Sequence, residues 1–201
     1  MMPKHYIVGI DEVGRGSLAG PVAVVAALIP ENLKIRVKKL GTLKDSKKLS
    51  PTLREKWFNF FQNHNAIKYA IARVYPKKID EINISRAANL AAIRAFYRLK
   101  RNHQLKSNTT DIFLDGGLFL GNSKKKPLSK TIIRGDEKIN AIKIASIIAK
   151  VTRDRQMRRL AKKYPQYSLE VHKGYGTQTH LASIKKFGPS DIHRKTFINL
   201  S

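Results

Sequence analysis

Four acidic residues lie where short apolar segments give way to glycine. Asp11 and Glu12 follow the apolar stretch 6–10, Asp115 follows 111–114 and precedes Gly116, and Asp136 follows Gly135. Binding sites in open α/β sheets gather outside the strand ends, so acids from separate segments can converge on one crevice. Converging carboxylates repel one another, and hard divalent cations that prefer oxygen ligands, Mg²⁺ or Mn²⁺, would hold them together. The pattern therefore predicts a metal site open to water and phosphate.

A structural alternative exists for each acid taken alone. An Asp at a strand end before Gly is often only part of a turn or a helix cap. The adjacent pair Asp11-Glu12 favours the metal interpretation, because a second neighbouring anion serves a turn no better than one. We expect Asp80 and Glu81 at a helix start, where the macrodipole favours anions. Asp154 lies among arginines and lysines, which indicates an ion pair, and the six histidines show no metal-ligand spacing.

The charge of the chain points to a polyanionic partner. Its 201 residues include 40 Lys and Arg against 14 Asp and Glu, a formal net charge of +26. Nucleic acid fits best, because lysines and arginines that approach its phosphates release counterions. Charge alone names a partner and not a reaction, since ribosomal and chromatin proteins are as basic. A non-catalytic nucleic-acid-binding protein is therefore the rival hypothesis at this point.

Composition also bears on the compartment. The chain has no cysteine, which excludes disulfides and thiolate zinc sites and agrees with a reducing compartment. The longest apolar run, 22–29, is far shorter than the ~20 residues of a membrane helix, and the start lacks the organisation of a secretory signal. We expect a cytoplasmic protein without a membrane partner.

The elements that must position the acids follow from periodicity and punctuation. The sequence predicts strands at 6–10, 22–29, 66–75, 111–114 and 131–133, and helices from Ser50-Pro51 to about 62, at 79–99 and at 141–163. Strands in meander followed by strands alternating with helices predict an α/β fold with a mixed central sheet flanked by helices. We expect a single domain over 1–201, with a core of about 4–164 and a small C-terminal helical extension of about 165–201.

The run Asp11-Glu12-Val13-Gly14-Arg15-Gly16, followed by Leu18-Ala19-Gly20-Pro21-Val22, closely resembles the opening motif of type 2 ribonuclease H, ribonuclease HII. The resemblance covers nearly the whole chain. It continues in the family's order through Asp45-Ser46-Lys47-Lys48-Leu49, Ile79-Asp80-Glu81-Ile82-Asn83-Ile84, Asp115-Gly116, Gly135-Asp136, Ala145-Ser146-Ile147-Ile148-Ala149-Lys150-Val151-Thr152-Arg153-Asp154 and His172-Lys173-Gly174-Tyr175.

The resemblance implies a ribonuclease H-like fold and an endonuclease that cuts the RNA strand of RNA/DNA hybrids. It also implies nicking 5′ to ribonucleotides in duplex DNA, which leaves a 5′-phosphate and a 3′-hydroxyl and serves removal of misincorporated ribonucleotides and RNA primers. The catalytic site matched residue by residue is a four-carboxylate centre for two Mn²⁺ or Mg²⁺ ions, formed by Asp11, Glu12, Asp115 and Asp136.

The resemblance also implies how the substrate is bound. Backbone groups of Gly14, Arg15 and Gly16 would contact the 2′-hydroxyl that distinguishes RNA from DNA. Tyr175 would stack on the deoxyribose after the ribonucleotide, and Lys47 would contact a phosphate. Without the family context, the two glycines could form a simple turn in which Arg15 pairs with a neighbouring acid. Tyr175 could likewise be an ordinary loop aromatic and Lys47 part of a solvated face. A monomer is the expected state.

Several positions depart from the family pattern. Ser17 stands where proline is usual, Arg134 replaces a common lysine, and Lys143-Ile144 occupies a place usually filled by small residues. Gly117 and the 124–126 loop also differ from the usual sequence after the third carboxylate, so the position of Asp136 is less closely defined than that of Asp115. Type 3 ribonuclease H is a second rival, ranked low because the motif begins within a dozen residues of Met1.

Overall fold

The computed structural model describes residues 5–121 and 128–199, so the predicted 124–126 loop lies outside the described residues. One five-stranded sheet has the order β3-β2-β1-β4-β5. The strands are β1 Tyr6–Val13, β2 Val22–Pro30, β3 Lys68–Val74, β4 Thr110–Asp115 and β5 Lys130–Ile132. β1, β2 and β3 pair antiparallel, whereas β4 runs parallel to β1 and β5 parallel to β4. The predicted mixed sheet is confirmed.

The register of the two central parallel strands brings acids together. Ile10 of β1 is level with Leu114 of β4, so the next residues, Asp11 and Asp115, lie at the same end of strands about 4.8 Å apart. The prediction that β1 breaks at Asp11 is wrong, because β1 continues to Val13. Asp11 and Glu12 pair with Val25 and Val24 of β2, and this pairing keeps both acidic residues in extended backbone.

Helices cover both faces of the sheet. They are α1 Pro51–Asn63, α2 Pro76–Ile82, α3 Ile84–His103, α4 Gly135–Lys138, α5 Asn140–Lys163, α6 Leu169–His172 and α7 Gln178–Phe187. A row of buried alanines brings α3 against one face, and α1 and α5 pack on the other. At Gly9 a side chain would overlap the backbone of Ala141, so α5 begins in direct contact with β1.

The single helix predicted at 79–99 is interrupted. α2 begins at Pro76 and α3 begins after Asn83, whose φ of 65° and ψ of 165° break the helical path. The Asn83 side chain accepts a hydrogen bond from the backbone N–H of Arg86 at 3.0 Å and caps α3. Asp80 therefore lies in the second half of α2 and not at a helix start, and its carboxylate accepts the backbone N–H groups of Lys195 and Thr196.

The predicted C-terminal helical extension is confirmed. It contains 3-10 turns at Pro165–Tyr167 and Lys195–Phe197 together with α6 and α7. Three histidines lie buried inside it: the rings of His172 and His180 stack at 4.3 Å, and Nε2 of His180 lies 3.2 Å from Nε2 of His193. None of the helices within residues 5–121 and 128–199 combines the length and the apolar character needed to cross a bilayer.

Candidate active site

A cleft of about 380 Å³ opens at the ends of β1 and β4. It brings together every predicted site residue except Asp136: the acids Asp11, Glu12 and Asp115, the turn Gly14, Arg15 and Gly16, and Lys47 and Tyr175. Sequence reasoning did not assign four further polar lining residues, which are Ser46, Arg54, Ser146 and Lys150. Three of these, Ser46, Ser146 and Lys150, lie inside motifs already noted, so those motifs already indicated this region. The cleft therefore combines three acids with several cationic side chains.

The three acids of the cleft are held in an environment that opposes their ionisation. Burial, and then the negative charges of Glu12 and Asp115, raise the pKa of Asp11 well above its ordinary value. Burial also raises the pKa of Glu12, although Arg15, at 3.5 Å, acts in the opposite direction. The pKa of Asp115 is raised by burial and by the charge of Asp136. Such a cluster is stabilised by any cation that enters it.

Two contacts support the ionised form of Asp11 without neutralising it. The backbone N–H of Glu12 donates to Asp11 Oδ1 at 2.7 Å, and the nearby hydroxyl of Ser146 on α5 lowers the Asp11 pKa. Ser146 is itself in contact with the Ser46 hydroxyl at 2.8 Å. The Glu12 N–H and the Ser146 hydroxyl are neutral, so they favour the charged carboxylate of Asp11 and leave its negative charge free to bind a cation.

Asp136 lies beside the cleft, at the start of α4. The backbone N–H of Gly135 donates to Asp115 Oδ1 at 2.6 Å, so the chain next to Asp136 is tied to the third acid. Lys47 donates from Nζ to Asp136 Oδ2 at 3.3 Å, and Asp136 is buried. Lys47 is therefore paired with the fourth acid and is not simply part of a solvated face. Its contact with a substrate phosphate stays a prediction.

The chemistry of these residues fits a hard divalent cation. The donors are carboxylate oxygens, and Oε2 of Glu12 is buried with no hydrogen-bond partner among the described residues. A buried anionic oxygen without a partner is costly unless a cation or donor meets it. Within 5–121 and 128–199, however, no group of three or more acidic or histidine side chains is arranged to hold an ion. The four-carboxylate cage accordingly stays a prediction.

The Gly14–Pro21 segment lines the cleft with its first three residues, Gly14–Gly16, and is packed on a buried arginine of α5. Gly14 has a φ of +83°, and a Cβ at this position would overlap the guanidinium of Arg153. That guanidinium donates to the carbonyls of Ala19, at 3.1 Å, and of Pro21. Gly14 and Gly16 thus do form a turn with Arg15 beside Glu12, as the alternative interpretation expected. This turn lines the cleft.

Tyr175 is held at the cleft by the C-terminal extension. Its segment forms a β-bridge with Ser17, and its carbonyl accepts a hydrogen bond from Nδ1 of His180 at 3.0 Å. The preceding residue, Gly174, has no room for a side chain, because a Cβ would lie 2.7 Å from the Ala19 carbonyl. The Tyr175 side chain is 37 % exposed. An aromatic ring is thus available beside the Gly14–Gly16 turn.

Two acids outside the cleft, Asp154 and Asp80, have structural roles. Lys150 and Asp154 form the expected ion pair at 2.9 Å. Asp80, described above, binds the backbone at 195–196. Of the departures from the family pattern, Ile144 is buried in the core between α5 and the sheet, and Ser17 is buried with its hydroxyl unpartnered among the described residues.

Comparison with known proteins finds relatives similar in sequence and in fold. The ribonuclease HII family model matches residues 8–200. The ribonuclease HII of Ruminiclostridium cellulolyticum is 42% identical over 194 residues, covering 96% of this chain and 70% of that protein. The crystal structure of ribonuclease H2 from Pyrococcus horikoshii superposes with a TM-score of 0.73 at 28% identity, covering 95% of this chain and 93% of the other.

A structure of a ribonuclease HIII, described as Bst-RNase HIII in complex with Mn²⁺, is similar in fold. It gives a TM-score of 0.70 at 16% identity, covering 98% of this chain and 66% of that one.

Proposed function

Because the chain belongs to the ribonuclease HII family of endoribonucleases, which cleave the RNA strand of RNA/DNA hybrids, we propose that it also nicks duplex DNA on the 5′ side of a single embedded ribonucleotide. The products would be a 5′-phosphate and a 3′-hydroxyl, and the role would be removal of misincorporated ribonucleotides and RNA primers. Membership in an enzyme family leaves the rival hypothesis of a non-catalytic nucleic-acid-binding protein without support.

One observation supports this proposal above the others. The acids Asp11, Glu12 and Asp115, the Gly14–Gly16 turn and Tyr175 line the same cleft. Chemistry at a phosphate and recognition of a ribose must occur within a few ångströms of each other, because the 2′-hydroxyl is only a few bonds from the scissile bond. A cleft that combines carboxylates with close-packed backbone and an exposed ring provides both functions.

The carboxylates would hold two divalent cations, with Mg²⁺ or Mn²⁺ as the proposed ions. We assign Asp11, Glu12, Asp115 and Asp136 as ligands. When bound, the ions supply the positive charge that activates an attacking water and stabilises the leaving 3′ oxygen. The Glu12 N–H would orient Asp11 for this role, and the Gly135 N–H would orient Asp115. A Mn²⁺ complex is known for the structurally similar ribonuclease HIII.

The remaining cleft residues would bind and orient the substrate. The Gly14, Arg15 and Gly16 backbone would contact the 2′-hydroxyl, which DNA lacks, and Tyr175 would stack against the next sugar. Lys47 would move between Asp136 and a substrate phosphate, since its ammonium is mostly exposed. The net charge of +26 supplies the long-range attraction for the duplex.

The test uses a labelled DNA duplex with one embedded ribonucleotide, incubated with the protein and Mg²⁺ or Mn²⁺. We expect a single nick 5′ to the ribonucleotide and no cleavage of the matched all-DNA duplex. Absence of cleavage with either metal would contradict the proposal.

A variant pair on one strand sharpens the experiment. Asp115→Asn removes a proposed ligand at one end of β4, whereas Asp111→Asn removes an exposed carboxylate at the other end, where it contacts only His5 in the described structure. We expect the first to lose about a hundredfold to a thousandfold in rate, the range seen when a catalytic electrostatic group is removed. The second should remain near the unaltered rate, and equal losses in both would refute the assignment.

A further inference from the structure

The Gly14–Pro21 segment, whose first three residues line the cleft, is supported by a second buried arginine, Arg194 of the C-terminal extension. Its guanidinium donates to the carbonyls of Gly14 at 2.7 Å, Arg15 at 2.8 Å and Gly20 at 2.9 Å. Its backbone N–H donates to the Leu18 carbonyl at 2.8 Å. Arg194 is fully buried, so these carbonyls take the place of the water that would otherwise solvate its charge.

Arg194 is in turn held by Asp80 through the residues that follow it. The Asp80 carboxylate accepts the N–H of Lys195 at 2.9 Å, and the N–H and hydroxyl of Thr196 at 3.1 and 2.6 Å. These bonds fix the 3-10 turn that begins directly after Arg194. Asp80 belongs to the family-like stretch 79–84, in which Asn83 caps α3 and Ile79 is buried in the core.

The orientation of the peptide bonds in the turn determines which backbone groups face the cleft. The described chain has no cis peptide bond, and in a trans peptide the C=O and the following N–H point in opposite directions. The Gly14 and Arg15 carbonyls point at Arg194, so the N–H groups of Arg15 and Gly16 point away from it. Both residues line the cleft. The arginine therefore aims two backbone donors at the side from which a ribose would approach.

We propose that Arg194 is a positioning residue for recognition of the ribonucleotide, and that Asp80 acts through it by fixing its segment. This inference rests on the proposed function, since it concerns the 2′-hydroxyl that the turn would contact. A lysine at 194 keeps the charge but has a single terminal nitrogen, which cannot reach three carbonyls in the fork geometry of a guanidinium. The turn then loses its fixed peptide orientation.

The experiment measures binding in an Asp11→Asn background, where cleavage does not interfere. Fluorescence anisotropy gives the affinity for a duplex with one ribonucleotide and for the same duplex in DNA only, and their ratio is the ribonucleotide preference. Arg194→Lys should reduce this ratio by about tenfold, as expected for loss of hydrogen bonds to a charged group. Where the ratio of the parent protein is below about ten, it should fall to one. Affinity for the DNA duplex should change little, whereas the melting temperature should fall, because the buried charge at position 194 loses hydrogen bonds. Lys195→Arg, an exposed neighbour that also keeps its charge, is the matched control and should leave the ratio unchanged.

Each outcome is decisive. An undiminished preference in Arg194→Lys overturns the inference, and so does an equal fall of both affinities, which indicates a purely structural role. If Arg194→Lys does not fold, Asp80→Asn tests the same claim with Arg194 intact, and a preference reduced by about threefold is expected; an unchanged ratio there refutes it. A parent protein that binds both duplexes equally would refute the proposed function itself, and this inference with it.

Discussion

Replacing Gly14 by alanine tests whether the cleft wall is as tightly packed as the structure indicates. Gly14 has a φ of +83°, which L-residues with a side chain rarely adopt. The added methyl would also overlap the Arg153 guanidinium, which is held by backbone carbonyls on the other side of the loop. The change therefore imposes two separate costs, one on the backbone and one on a buried charge.

The magnitude follows from those two costs. Left-handed backbone costs an alanine about 1–2 kcal/mol. Displacing Arg153 weakens at least one hydrogen bond to a charged group, which is about 1.5–3 kcal/mol. We expect Gly14→Ala to lower the free energy of unfolding by about 2.5–5 kcal/mol. In a chain of this size each kcal/mol corresponds to roughly 2–4 °C in melting temperature.

Two other glycines separate the costs in the same thermal unfolding experiment. Gly41 also has a positive φ, of +71°, but open space around its missing side chain, so Gly41→Ala should show the backbone cost alone, about 1–2 kcal/mol. Gly16 has open space and no positive φ, so Gly16→Ala should fold normally and weaken nicking only. If Gly14→Ala melts no lower than Gly41→Ala, the packing of Arg153 against the turn is not as described.

Three further predictions concern stability. Ser17→Ala should raise the free energy of unfolding by about 1 kcal/mol, because the buried Ser17 hydroxyl has no partner among the described residues; a lower melting temperature would contradict this. Asn83→Ala should cost about 2 kcal/mol by losing the α3 cap at a strained φ, whereas Asn83→Gly should cost clearly less, as urea unfolding of the two would show. Burial lowers the pKa of His180 from 6.5 to about 4. Between these two pH values the unfolded chain binds a proton at His180 that the folded chain does not. The free energy of unfolding is therefore highest above about pH 6.5 and falls as the pH drops toward 4. His180→Gln should flatten that decline in melting temperature, and an unchanged pH profile would refute the role of burial.

Local sequence determined the sheet and the position of most of the cleft, because strand periodicity and the glycine after each acid are properties of short segments. The end of β1 could not be predicted in this way. Asp11 and Glu12 have low strand propensity, and only their pairing with Val25 and Val24 keeps them extended. The break at Asn83 was also hidden, since the apolar spacing continues across it while one side chain caps the next helix.

The parts of the site that sequence could not reveal depend on contacts between distant segments. The histidines of the extension have no regular spacing, yet three of them meet in its interior. Arg194 is one of 40 basic residues, and nothing adjacent to it shows that its side chain is buried. Asp136 was placed near the other acids by motif, but its contact with Lys47, 89 residues away, emerged only from the fold.

The bond between Gly14 and Arg194 joins residues 180 positions apart, and this has a consequence for the order of folding. The β1–β2 hairpin needs only neighbouring segments, whereas a contact so remote along the chain must wait for most of the molecule to assemble. We expect the acidic residues of β1 to reach their places before the turn beside them acquires its final shape. A partly folded chain would then hold Asp11 and Glu12 in place without the means to choose a sugar, and selectivity would be among the last properties gained.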